Sequence, residues 1–126
     1  SGLLYLNVPS NGDFHRYPVD CWRFYPDSGV ALQNWGRRSG YDCTLLESFI
    51  GTRKKDIWHD FVSVFVKDQK FASNFRDRIQ DNILDFSNGR LENSEDIINY
   101  TSSFQKTKIL EIKELKKRLK KMVGRG

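Results

Sequence analysis

Cysteine, proline, methionine and long apolar runs are all scarce in this chain of 126 residues. Its two cysteines, Cys21 and Cys43, fit no Cys-x-x-Cys or Cys/His ligand spacing, so a structural zinc site has no basis in the sequence. With no export signal visible, the expectation is a cytoplasmic chain with reduced thiols packed as small buried apolar residues. No apolar run approaches the roughly 18 residues of a membrane-spanning helix, which argues against an integral membrane protein. All three prolines (Pro9, Pro18 and Pro26) fall in the first 26 residues, and the proline-free remainder suits long uninterrupted elements. A glycine-rich strand–turn–helix is also missing: the one Gly-x-Gly is Gly124-Arg125-Gly126.

Charge is present but unevenly spread. The formal net charge is +5. Residues 105–126 hold nine bases and two acids, a net +7, while residues 1–104 hold 12 bases and 14 acids, a net −2. The basic character therefore belongs to the end of the chain, and overall pI says little about the chemistry of the body.

The order of patterns predicts an α/β body over 1–68 and a helical extension over 69–126. Leu3 to Val8 is an apolar run without alternation, which predicts a strand buried on both faces and closed by Pro9-Ser10-Asn11-Gly12. Pro26-Asp27-Ser28 opens a helix with an apolar stripe of Val30, Ala31, Leu32 and Trp35, ending near Arg37, Arg38 and Gly40. Tyr41–Ile50 and Trp58–Lys67 read as two further strands. In the latter, Val62, Val64 and Val66 share one face, and Phe61 and Phe65 the other. Phe71, Phe75, Ile79 and Ile83 recur every four residues, predicting an amphipathic helix over 70–86 that ends at Ser87-Asn88-Gly89. A long final helix is expected from Asn93 or Ser94 to about Val123, completing a helical hairpin.

Residues 2–10, Gly-Leu-Leu-Tyr-Leu-Asn-Val-Pro-Ser, followed by His15-Arg-Tyr-Pro-Val-Asp-Cys-Trp-Arg-Phe-Tyr-Pro-Asp27, form a distinctive pair. This stretch resembles the C-terminal half of class I S-adenosylmethionine-dependent methyltransferases. The resemblance covers residues 2–68. It implies the C-terminal part of a Rossmann-like sheet, with strands 5, 6 and 7 adjacent in the order 5-7-6 and strand 7 antiparallel. In that family the cofactor is held mainly by the N-terminal half, whose glycine-rich motif does not occur here. The resemblance therefore implies one part of a larger enzyme, inactive alone, with the edge of strand 3–8 left unpaired.

Methyl transfer requires a positioned acceptor and often a general base, and open α/β sheets bind ligands beyond the carboxyl ends of their strands. Residues 9–25 occupy that place. His15 is the candidate base, because imidazole titrates near neutrality. Asp20 is the second catalytic candidate, either as base or as the group that orients His15; an ion pair with Arg16 or Arg23 is the plainer reading. Arg16 and Arg23 suit an acidic acceptor or a bracing role, and Tyr17 and Trp22 suit stacking on a sugar or planar acceptor. The cluster Phe14, Tyr17, Trp22, Phe24 and Tyr25 is equally the pattern of a small core beneath a loop. His59 beside Asp60 invites a catalytic reading, but adjacent strand residues point to opposite faces.

The function implied by resemblance is methyl transfer from S-adenosylmethionine to a small-molecule or saccharide acceptor. A non-catalytic remnant that serves in oligomerisation or docking is the alternative. Expected partners are the acceptor, a second copy through strand 3–8 or the final helix, and an anionic membrane surface at the inner face. Nucleic acid is disfavoured, because Phe104 is the only aromatic residue near the basic segment.

Overall fold

The computed structural model describes residues 2–12, 19, 21–52, 58–102 and 106–124. The elements are β1 (Leu3–Gly12), α1 (Ser28–Arg38), β2 (Thr44–Gly51), β3 (Trp58–Val66), β4 (Phe86–Leu91) and α2 (Lys106–Val123). Two 3-10 turns, Gln69–Asn74 and Ile79–Asn82, lie between β3 and β4. The chain is an α/β protein built on one four-stranded sheet of order β1-β3-β2-β4, with every neighbouring pair antiparallel.

Strand β3 is the centre of this arrangement. Its alternation puts Phe61, Ser63 and Phe65 on one face and Val62, Val64 and Val66 on the other. Both faces are covered: Phe61 and Val66 are fully buried, and Val62 and Phe65 nearly so. Since β1 and β2 each run antiparallel to β3, they run in the same direction, and α1 connects them.

Helix α1 packs by its glycines, not by the apolar stripe expected for it. Gly29 and Gly36 are its buried residues, and Trp35 is exposed. A Cβ at Gly29 would stand 3.1 Å from both Leu45 Cδ2 and Ser48 Oγ, so any larger residue would make these side chains give way for the helix to lie this close to β2. Gln33 Oε1 accepts the Leu45 N–H at 2.7 Å across the same contact. The helix ends where Gly40 adopts a φ of +89°, a left-handed conformation that glycine enters without strain. Helix α1 packs on β2 rather than β1, and the strand expected to be buried on both faces is exposed on both over its first three residues. Leu3 and Tyr5 on one side and Leu4 on the other are more than half exposed. The strand also runs past Val8 to Gly12, through a register shift between Pro9 and Gly12.

The predicted helical hairpin is not formed. Of the four-residue stripe, Phe71 lies in the first 3-10 turn, Phe75 just after it and Ile79 at the start of the second, and Ser87-Asn88-Gly89 lies inside β4. The cause is the buried carboxylate of Glu47. In an α-helix the Ile79 and Gln80 N–H groups would donate to carbonyls four residues back. Here they donate to Glu47 at 2.7 and 3.1 Å, joined by Gln80 Nε2 at 3.3 Å. The Phe75 carbonyl that such a helix would use accepts from the Arg78 guanidinium. Arg78 also donates to Leu46 O and pairs with Glu92. Phe71 and Phe75 still pack on the cluster of Leu46, Val66 and Ala72, so their spacing reports a real buried face on a different backbone. At the first turn the Asp68 carboxylate accepts from Lys70 N, and its bond to the Lys70 ammonium holds Asp68 below the usual carboxylate range and Lys70 above its own.

The final helix begins later than Ser94 because residues 98–101 are held against β4. Gly89 and Ile98 exchange backbone hydrogen bonds. Buried Asn88 bonds both the N–H and the C=O of Thr101, at 3.0 and 3.1 Å. The cysteines also depart from expectation: Cys21 is exposed and Cys43 half-buried, both as free thiols.

Replacing Glu47 by alanine removes the acceptor of the Ile79 and Gln80 N–H groups, while Gln80 Nε2 keeps its bond to the Arg90 carbonyl at 3.1 Å; it is expected to lower unfolding free energy by about 2 kcal/mol, whereas Glu47→Gln keeps an acceptor oxygen and costs less. Urea unfolding measures both, and wild-type stability in Glu47→Ala would contradict the clamp.

Candidate functional site

The shared direction of β1 and β2 brings their carboxyl ends to one rim of the sheet. The first residues of β3 and β4 meet them there, with Gly12 opposite Trp58 and Gly51 opposite Phe86. The N-terminus of α1 reaches the α1-facing side of the sheet near this rim, tied by an ion pair between Asp27 and Arg90 of β4. By Phe24, ahead of α1, the chain is back beside the end of β1.

One aromatic residue anchors that return. Phe24 stacks on Phe61 of β3, with ring centroids 6.2 Å apart and planes 19° from parallel. Its N–H donates to the Pro9 carbonyl at 3.0 Å, which pins the loop to the end of β1. The next residues set up the helix: Tyr25 N–H bonds Ser28 Oγ at 2.9 Å, and Ser28 N–H bonds the Tyr25 carbonyl at 2.8 Å. Asp27, expected as a capping side chain, makes no cap hydrogen bond and serves the Arg90 pair instead.

The aromatic cluster therefore divides. Phe24 fulfils the core reading, whereas Trp22 is 75 % exposed and Tyr25 is also exposed. Trp22 is thus open to a planar ligand, and neighbouring Arg23 is half-buried. His15, Arg16 and Tyr17, along with Phe14 and Asp20, lie outside the described residues.

Two polar groups at the end of β1 were not singled out by their sequence pattern. Ser10 is fully buried and Asn11 nearly so, yet Ser10 Oγ and Asn11 Oδ1 have no hydrogen-bond partner among the described residues. The register shift at Pro9–Gly12 carries the chain out of the regular ladder at this point. Sequence gave no warning, because Ser-Asn-Gly reads as an ordinary turn. At the end of β2, His59 places Nδ1 3.1 Å from the Gly51 carbonyl. That contact fixes the ring against the neighbouring strand and supports the structural reading of His59.

The described part of this rim gathers an exposed indole (Trp22), an adjacent half-buried arginine (Arg23), and the buried Ser10 hydroxyl and Asn11 amide. Among the described residues, no three His, Cys, Asp or Glu side chains gather as metal ligands. A separate apolar cleft of about 350 Å³ lies between β1 and α1, bordered by Leu4, Leu6, Leu32, Trp35 and Phe65, and offers little to orient a polar acceptor. No family model, no curated protein and no solved structure matches the chain.

Truncating Phe24 removes both the stack and the packing that hold the loop. Phe24→Ala is expected to cost about 1–3 kcal/mol of stability and to open residues 19–27 to limited proteolysis. An unchanged cleavage pattern would show that the loop is held by something else.

Proposed function

We propose that this chain provides the acceptor side of an S-adenosylmethionine-dependent methyl transfer to a small molecule or saccharide. One observation carries the reading: two same-direction strands joined by a helix flank an antiparallel third, and the HRYPVDCWRFYPD segment follows the carboxyl end of the first. The order β1-β3-β2 supports the reading because the resemblance implies strands 5, 7 and 6 side by side with strand 7 antiparallel.

The described residues do not themselves fit the cofactor. Close approach of a nucleoside needs open backbone at a glycine-rich turn. The space beside Gly29 is filled by Leu45 and Ser48, and that beside Gly36 by Cys43. Gly40 closes the end of α1, and Pro9-Ser10-Asn11-Gly12 is the last part of β1 and holds a single glycine. What the chain contributes is the surroundings of the acceptor. Trp22 and Tyr17 stack on its ring, Arg16 and Arg23 meet acidic groups on it, and His15 accepts the proton released by its hydroxyl or amine. Asp20 holds the imidazole in the accepting orientation.

The competing reading is a non-catalytic module that uses the same surface only to dock. The two separate in the gene product that carries this chain. With methyl-labelled S-adenosylmethionine and a panel of sugars and small metabolites, His15→Ala is expected to lower kcat about 100-fold or more while leaving the Kd for the cofactor unchanged. Trp22→Ala is expected to raise the acceptor KM. The 126-residue chain alone should give no calorimetric heat with S-adenosylmethionine. Micromolar affinity there would overturn the division of labour, and the absence of methyl transfer to any acceptor would favour the docking module.

A further inference from the structure

The end of α2 presents a surface that the methyl-transfer reading does not use. Residues 115–124 are all exposed. Leu115, Leu119 and Met122 recur at i, i+4 and i+7, with Val123 beside them, and all four are more than half exposed. At 100° per residue they fall in a stripe about 100° wide. Lys116 and Arg118 flank the stripe, and Lys117, Lys120 and Lys121 occupy the faces behind it. The ten residues from Leu115 to Gly124 contain no acid.

We propose that α2 docks on an anionic lipid surface, lying in the headgroup plane with Leu115, Leu119, Met122 and Val123 turned into the acyl boundary. Charge complementarity selects this occupant. Five bases beside an apolar stripe match a surface that is negative outside and apolar just beneath. A second copy of the helix would bring five more bases against these five, with no acid in the segment to offset them. A phosphate backbone would satisfy the bases and leave the Leu/Met stripe in water, and no aromatic residue in the segment offers a base a stacking face. The helix lies on the surface and does not cross it: no helix among the described residues is long and apolar enough to span a membrane.

The test is co-sedimentation of the 126-residue chain with vesicles of phosphatidylcholine alone, or containing about 30 % phosphatidylserine. Binding is expected only to the anionic vesicles, and should fall at least about ten-fold between about 0.1 M and 0.5 M salt. Lys120→Gln with Lys121→Gln should weaken it, by roughly five-fold per charge removed. Leu115→Ser, Leu119→Ser and Met122→Ser together keep every charge and should weaken it at least about ten-fold. Near-UV circular dichroism confirms that the body of each variant is intact. Four results would overturn the proposal: no binding to anionic vesicles, equal binding to both vesicle types, full binding by the triple-serine variant, or tighter binding to single-stranded RNA than to the vesicles. A lipid-free dimer that the triple-serine variant loses would likewise assign the stripe to a second copy.

Discussion

Strand β3 hydrogen-bonds to β1 along one edge and to β2 along the other, and most of the molecule is placed by those two ladders. Reversing direction between its neighbours makes β1 and β2 co-directional, which forces their connection to cross from one end of the sheet to the other. That connection is α1. It can lie close to β2 because Gly29 meets Leu45 and Ser48 where a Cβ would crowd them. At the same rim Phe24 stacks on Phe61 of β3 and bonds the Pro9 carbonyl of β1. The candidate acceptor surface is thus a consequence of how one central strand is paired.

The elements with strong local signals were legible in the sequence. The Val62-Val64-Val66 alternation against Phe61 and Phe65 fixes a strand with two apolar faces, and β3 is central. Pro26, Arg37, Arg38 and Gly40 bound α1 correctly, because they act on the helix ends irrespective of what the helix packs against. The region between β3 and α2 was misread because its organising interaction is not local. Glu47 lies 32 and 33 residues before the N–H groups of Ile79 and Gln80 that it captures, and a single Glu in an apolar strand carries no mark of that partnership. β4 was hidden for a related reason. Ser87-Asn88-Gly89 is turn chemistry, but Asn88 uses its side-chain amide to hold Thr101 while its neighbours pair with β2. Of the candidate site, the aromatic pattern left stacking and core readings open, and the structure divides them between exposed Trp22 and Phe24 packed on Phe61. The burial of Ser10 and Asn11, whose side-chain oxygens have no partner among the described residues, was illegible, because burial of a polar turn depends on how the surrounding chain closes over it.

The charge asymmetry of the sequence also has a structural counterpart. The bases of residues 116–121 sit on an exposed helix whose apolar stripe makes no use of the sheet. In the slightly acidic remainder, some charges tie elements of the body together: Arg78 binds Glu92 and the Leu46 carbonyl, and Arg90 binds Asp27. Recognition by the rim and recognition by α2 are therefore separate properties, and each can fail without the other.

Amide hydrogen exchange read residue by residue along β1 tests the pairing of β3 most directly. Lys67 N–H donates to the Gly2 carbonyl at 2.8 Å, which sets the phase of the antiparallel ladder. Leu4, Leu6 and Val8 accordingly turn their amides toward β3, and Leu3, Tyr5 and Asn7 turn theirs outward. The account predicts slow exchange at the first set, fast exchange at the second, and slow exchange throughout β3. Slow exchange at Leu3, Tyr5 and Asn7, or fast exchange at Leu4 and Leu6, would contradict a free-edged β1 held by β3 alone.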